Sequence, residues 1–317
     1  MAVLLAVAMT ASACGSSDDA ASVIAETTTT AAAPETTAAA PETTTTTTAS
    51  TTTQPPRTTI AAPEEIQPDP AEGWELVWSD EFDGDEVNQE NWTYDIGGWG
   101  WGNGEVQYYT DRTENARLEN GMLTIEARQE KFEDSFYTSA RLKTQGLQEF
   151  QYGRIEARIK VPAGEGMWPA FWMLGANFEE DAADEANRWP NVGEIDIMEW
   201  VGREPDLILG TIHGPGYSGA GGKSTWFRQD FDVSEDWHIY AIEWDADGIR
   251  WFFDNELYAN QTPDSLGPRG EWVFDREFFI ILNLAIGGTL GGLVAPDLNF
   301  PVHLHADYVR VYQAIES

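Results

Sequence analysis

Three acids lie close together in the run Gly193-Glu194-Ile195-Asp196-Ile197-Met198-Glu199-Trp200. Read as a β-strand, the run puts Glu194 and Asp196 on one face and Ile195 and Ile197 on the other. Strict alternation would then set Met198, not Glu199, beside the two acids. A one-residue β-bulge near Met198 returns Glu199 to the acidic face. Three carboxylates held this close raise one another's pKa and cost stability, which points to chemistry rather than packing. Two carboxyl groups about 5–5.5 Å apart suit double displacement at a glycosidic carbon. One attacks, and the other donates a proton to the leaving oxygen and later takes one from water. Asp196, between them, is placed to tune both. The plainer reading, a solvated edge strand, does not account for the tryptophans and glycines that flank the run.

The elements that must hold these acids read as strands. Gly153-Arg154-Ile155-Glu156-Ala157-Arg158-Ile159-Lys160-Val161 alternates with Ile155, Ala157, Ile159 and Val161 on one face. Gly121 to Arg128, Trp237 to Trp244, Ile249 to Phe253 and Tyr308 to Tyr312 follow the same period. Closely spaced period-two runs predict an all-β sandwich or barrel. Phe278 to Ala285 is continuously apolar, as expected of a strand buried on both faces. The loop Ile96 to Gly104 carries Trp99 and Trp101 among five glycines, a composition that suggests a surface offered to a ligand. No internal repeat and no zinc-type spacing of His, Cys and acids is present.

Composition divides the 317 residues. Every tryptophan lies at or after Trp74, whereas residues 15–70 are mostly Thr, Ala, Pro and Glu and cannot bury enough apolar surface to order themselves. They are expected to form a disordered stalk, and residues 71–317 one folded catalytic domain. The formal charge is −36. One arginine and eight acids in the first 70 residues leave −29 on the remainder. A field of that sign excludes nucleic acid and anionic membrane surfaces as partners and favours a neutral substrate. The one cysteine, Cys14, forbids an intrachain disulfide. It follows a short apolar run and the small residues Thr10 to Ala13. Residues 1–14 thus resemble a bacterial lipoprotein signal, in which the cysteine is lipidated. An ordinary signal peptide cleaved nearby is the alternative. Either implies an extracellular or cell-surface protein, attached to membrane only through Cys14 if lipidated. A monomer is expected.

The acid run resembles the signature of glycoside hydrolase family 16 in its bulged form. The similarity extends over nearly the whole folded part. Trp78 to Gly84 looks like the family's first strand, and Asn103-Gly104-Glu105-Val106-Gln107-Tyr108-Tyr109-Thr110 like its laminarinase branch. Gly166 to Leu174 and Asp307 to Gln313 also fit. The resemblance implies a β-jelly-roll sandwich of two curved antiparallel sheets with a glycan cleft on the concave face. It implies a retaining endo-1,3-β-glucanase needing no cofactor, with Glu194 as nucleophile, Glu199 as acid/base and Asp196 assisting.

Further positions follow from the same resemblance. Asn103 and Arg141 are expected to hydrogen-bond sugar in the glycone subsites, with Trp99 and Trp101 at that end. His213 is expected near the cleavage point. Independently of the resemblance, sugar rings stack on aromatic faces, so Trp168, just before the acid run, is expected to contact sugar, and Trp172 either to do the same or to pack in the core. A structural calcium ion on the convex side would take Glu81, the Gly121 carbonyl and Asp307. Leu290 departs from the pattern, since many laminarinases carry a tryptophan nearby. The acid run alone leaves open mixed-linkage glucan or galactan as substrate, transglycosylation, and a non-catalytic glucan-binding role.

Overall fold

A computed structural model describes residues 73–315. Cys14, the signal-like segment and the Thr-rich tract lie outside the described residues. The expected all-β jelly roll is found as two packed sheets. The larger runs in the order Glu256–Gln261, Gly248–Phe253, His238–Asp245, Gly153–Lys160, Val302–Ala314, Leu123–Phe132, Ser135–Ser139, Gln107–Tyr109. Trp74–Asp80 pairs with Val302–Ala314 at its side. The smaller runs Lys223–Arg228, Leu207–His213, Glu194–Trp200, Met167–Gly175, Phe278–Ile286, Arg141–Lys143, Thr93–Tyr94. Pairing is antiparallel except between Gln107–Tyr109 and Ser135–Ser139, which run parallel.

The core lies between the sheets and draws on the alternating residues. Ile155, Ala157, Ile159 and Val161 all enter it. The opposite face of that strand is buried too, although it carries Arg154, Glu156 and Arg158. Arg154 is 2.7 Å from Glu156, Arg158 is 2.9 Å from Asp307, and the Tyr308 hydroxyl donates to Glu156. Buried charge is tolerable there because each ion has an opposite partner. Phe278–Ile286 is buried along its whole length. Its inner residues join the main core, and Phe279 and Ile281 pack outward against Leu174 and Val192. The smaller sheet therefore presents a firm floor on the side away from the core.

Candidate active site

The acid-bearing strand, Glu194–Trp200, is third from one edge of the smaller sheet. Gly193 precedes it at φ 84°, and a Cβ there would come within 2.9 Å of Phe278 and Val273, so glycine suits the turn into the strand. Ile195, Ile197, Met198 and Trp200 all point into the core. Two consecutive residues, Ile197 and Met198, facing inward is the mark of a bulge. The register agrees. Asp196 opposes Thr211 while Glu199 opposes Leu209, and on the other side Trp172 opposes Asp196 while Phe171 opposes Met198. Glu194, Asp196 and Glu199 thereby share the outer face. A bulge leaves backbone groups without ladder partners. Here the Trp251 indole, reaching from the other sheet, donates to the Asp196 carbonyl at 2.9 Å.

All three carboxyls are pushed up to about 8. Burial is the main cause for each, and the negative charge of Asp196 adds to it for both glutamates. Opposing influences differ between the glutamates. His213 and Arg141 favour the ionised form of Glu194. The Trp168 indole donates to Glu199 at 3.0 Å and, with His213, favours the ionised form there. His213, expected near the cleavage point, has its Nε2 3.5 Å from Glu194 and 3.4 Å from Asp196. Its ring is also close to Gly222, where a Cβ would fall 2.3 Å from Cε1. Ligand atoms of Glu194, Asp196 and His213 lie within 4.8 Å of one another, a spacing that can hold a metal ion. A cation there would tie up the carboxylates that acid–base chemistry uses.

A cavity of about 510 Å³ opens beside Glu194. Asn103, Trp101, Arg141 and Trp172 form its wall. Arg141 is held between Trp101 and Trp172, its guanidinium carbon 4.8 and 4.7 Å from their ring centres, and pairs with Asp95 at 2.8 Å. Trp99 packs on Trp101 with ring centres 3.9 Å apart and remains 55 % exposed. A smaller cavity of about 70 Å³ joins the three acids to Trp168, Trp172, Asn103 and Asn283. Trp168 is only 8 % exposed and packs against Val201 and Ala285. It reaches the cavity, but its indole N–H is occupied by Glu199. Trp172 offers more surface, and its N–H donates to Asn283 at 2.7 Å.

Beneath the cleft lies a buried polar network that the motifs did not announce. Glu105 accepts from Gln107 at 2.6 Å, Tyr109 at 3.0 Å and Asn103 at 3.2 Å. Asn283 donates to the Tyr109 hydroxyl at 3.1 Å. Trp172 is thereby linked through Asn283 and Tyr109 to Glu105. The signal was present in the period-two spacing of Glu105, Gln107 and Tyr109, which puts three polar groups on one face.

The expected calcium ligands are already partnered. Both Glu81 oxygens take the Arg310 guanidinium, at 2.8 and 2.7 Å, and Asp307 takes Arg158. Two arginines supply the positive charge that an ion would bring. In this arrangement the two carboxylates are engaged by arginine, and the Gly121 carbonyl is the remaining expected oxygen donor.

A two-sheet β-sandwich with a row of buried carboxylates above a tryptophan-walled cleft defines a carbohydrate-active hydrolase. Similarity to known proteins places it further. Residues 98–273 match Glycosyl hydrolases family 16. A "Beta-glucanase" of Rhodothermus marinus is 46 % identical over 256 residues, covering 78 % of this chain and 88 % of that protein. A "Glucan endo-1,3-beta-glucosidase" of Cryptopygus antarcticus is 39 % identical over 233 residues, 69 % and 83 % of the two chains. Among solved structures, the laminarinase catalytic domain of Thermotoga maritima superposes with a TM-score of 0.72 at 46 % identity, covering 77 % of this chain and 100 % of that one. The chain belongs to glycosyl hydrolase family 16 and is a glycoside hydrolase.

Proposed function

We propose that the protein is an endo-acting, retaining hydrolase of β-1,3-glucan, with Glu194 as nucleophile and Glu199 as general acid/base. The observation that carries the residue roles is the bulge, which brings Glu194, Asp196 and Glu199 onto one face. The substrate class is supported by the names of the similar proteins and by Trp101 and Trp172, which line the cavity beside Glu194. In the first step Glu194 attacks the anomeric carbon and Glu199 protonates the departing oxygen. In the second, Glu199 takes a proton from water, which displaces Glu194 and restores the β configuration. His213 and Arg141 favour an ionised Glu194, as attack requires, and burial keeps Glu199 protonated toward neutral pH. Asn103, Arg141, Trp101 and Trp172, with Trp99 at the rim, hold the sugars of the retained part. Trp168 acts on Glu199 more than on sugar.

The test is product analysis on laminarin, barley mixed-linkage glucan and agarose. Short oligosaccharides released rapidly from laminarin are expected. Cleavage confined to another polymer would overturn the linkage assignment but not the catalytic strand. A second expectation concerns pH. Activity should fall as pH rises through the Glu199 pKa. The Trp168 N–H stabilises the ionised carboxylate, so Trp168→Phe should hold the proton longer and move the alkaline limb of kcat/KM up by about one pH unit. A limb that stays in place or moves down would refute the assignment.

We also propose that the domain works outside the cell as a monomer, anchored by a lipid on Cys14 and held off the envelope by residues 15–70. The anchor rests on the lipoprotein-like sequence around Cys14. Cys14→Ser should release the protein into the medium, whereas an unchanged membrane fraction would refute the anchor.

A further inference from the structure

The edge strand Lys223–Arg228 carries an aromatic side chain with no role in the catalytic steps. Phe227 turns inward, stacked on Tyr258 with ring centres 4.8 Å apart and planes 9° apart. Its neighbour Trp226 therefore faces the opposite way, onto the face that bears the acids. Register gives the same answer. Glu199 opposes Leu209, and Leu209 opposes Trp226. One strand-step away, Asp196 opposes Thr211, and Thr211 opposes Ser224. Trp226 thus stands level with Glu199, two strand spacings or about 9.5 Å across the sheet. It is 54 % exposed, and the strand alternates so that Ser224, Trp226 and Arg228 are its exposed residues. A tryptophan on this face offers a flat apolar surface of the kind on which a sugar ring stacks.

The strand is also pinned. Arg228 pairs with Glu204 at 2.8 Å and with Asp206, both in the turn that follows the acid-bearing strand. The Gln229 N–H donates to the Asp206 carbonyl at 2.7 Å. Two residues along from the Leu209–Trp226 pair and on the same face, the Thr211 hydroxyl donates to Ser224 at 2.9 Å, so polar groups share this face with the aromatic side chain. That pairing suits a sugar, whose apolar ring face stacks while its hydroxyls hydrogen-bond.

We infer that Trp226 is a stacking platform for the leaving side of the glucan chain, beyond the bond that is cut. The inference rests on the roles proposed for Glu194 and Glu199. The large cavity touches Glu194 and lies on the flank of Met167–Gly175, Phe278–Ile286 and Arg141–Lys143. It takes the part of the chain that becomes attached to Glu194. On the other side of the acid-bearing strand the sheet continues into Leu207–His213 and Lys223–Arg228, and this is the flank left for the departing part. Trp226 is the large exposed side chain of that edge strand.

The test compares two substrates on the full chain. One is a glucan hexasaccharide, which places sugars on both sides of the cut. The other is an aryl oligosaccharide whose leaving group is a nitrophenol. For Trp226→Ala, the ratio of kcat/KM on the hexasaccharide to that on the aryl substrate should fall about tenfold, the size of one lost stacking contact. Trp226→Phe, which keeps a ring, should recover most of it. An unchanged ratio in Trp226→Ala would overturn the inference. So would a phenylalanine variant as impaired as the alanine one. The glucan used is whichever linkage the wild-type enzyme cleaves. An error in the linkage assignment then shows as wild-type inactivity on laminarin, and not as a change in the ratio.

Discussion

Glu194→Ala should lower kcat on β-glucan by about five orders of magnitude, a loss of the size seen when a covalent nucleophile is removed. Substrate binding should be nearly intact, because Arg141, Trp101 and Trp172 are held by one another and by Asp95, not by Glu194. Removing the carboxylate opens one side of the anomeric carbon to a small external anion. With an aryl substrate and added azide, the variant should form an α-configured glycosyl azide in a single displacement. Near wild-type turnover by the variant would refute the role. A β-configured azide would too, since it requires that another residue still form the covalent intermediate.

The second large effect belongs to Glu199. Glu199→Ala should lower kcat on polymeric glucan by about 10²–10⁴-fold, the range for a positioned general acid. The loss should depend on the leaving group. A sugar must be protonated as it departs, but a dinitrophenolate need not be. On the activated substrate the first step should be nearly as fast as in the wild type, and a glycosyl-enzyme should accumulate as a burst of phenol. The alkaline limb of the pH profile should vanish, since the proton that gives rise to it is gone. Azide should now capture the covalent intermediate as the β-configured product. An equal loss on activated and unactivated substrates would show that Glu199 supports structure and does not transfer a proton.

Both effects depend on a local feature that is legible in the sequence. Ile195, Ile197, Met198 and Trp200 cannot all face one side of a regular strand, so the acids and the apolar residues together demand a bulge. Strand Phe278–Ile286 is legible for the same reason, because its uninterrupted apolar run has no solvent face to spare. Trp168 is harder. Its class and position suit sugar stacking, but its surroundings depend on cross-strand partners, with Ala285 opposite it and Glu199 within hydrogen-bond reach. The Trp251 contact joins residues 55 apart in sequence and on different sheets, so no local pattern could announce it. The expected calcium ligands have partners that no local pattern gives. Glu81 and Asp307 are acids at suggestive positions, but Arg310 and Arg158 come from neighbouring strands that only the fold brings close.

The raised carboxyls set the reaction a problem. Burial makes all three hard to ionise, yet the first step needs one charged and one neutral. The site answers with asymmetry. Glu194 has Arg141 and His213 to support its charge, while Glu199 has a single indole N–H and His213.

The measurement that tests the central claim most directly is proton NMR of the anomeric signals released by the wild-type enzyme from laminarin in the first minutes, before mutarotation. Double displacement through Glu194 and Glu199 predicts that the β-anomer of the new reducing end appears first and the α-anomer grows in later. If the α-anomer appears first, hydrolysis is a single inversion, and the assignment of Glu194 as a covalent nucleophile is wrong.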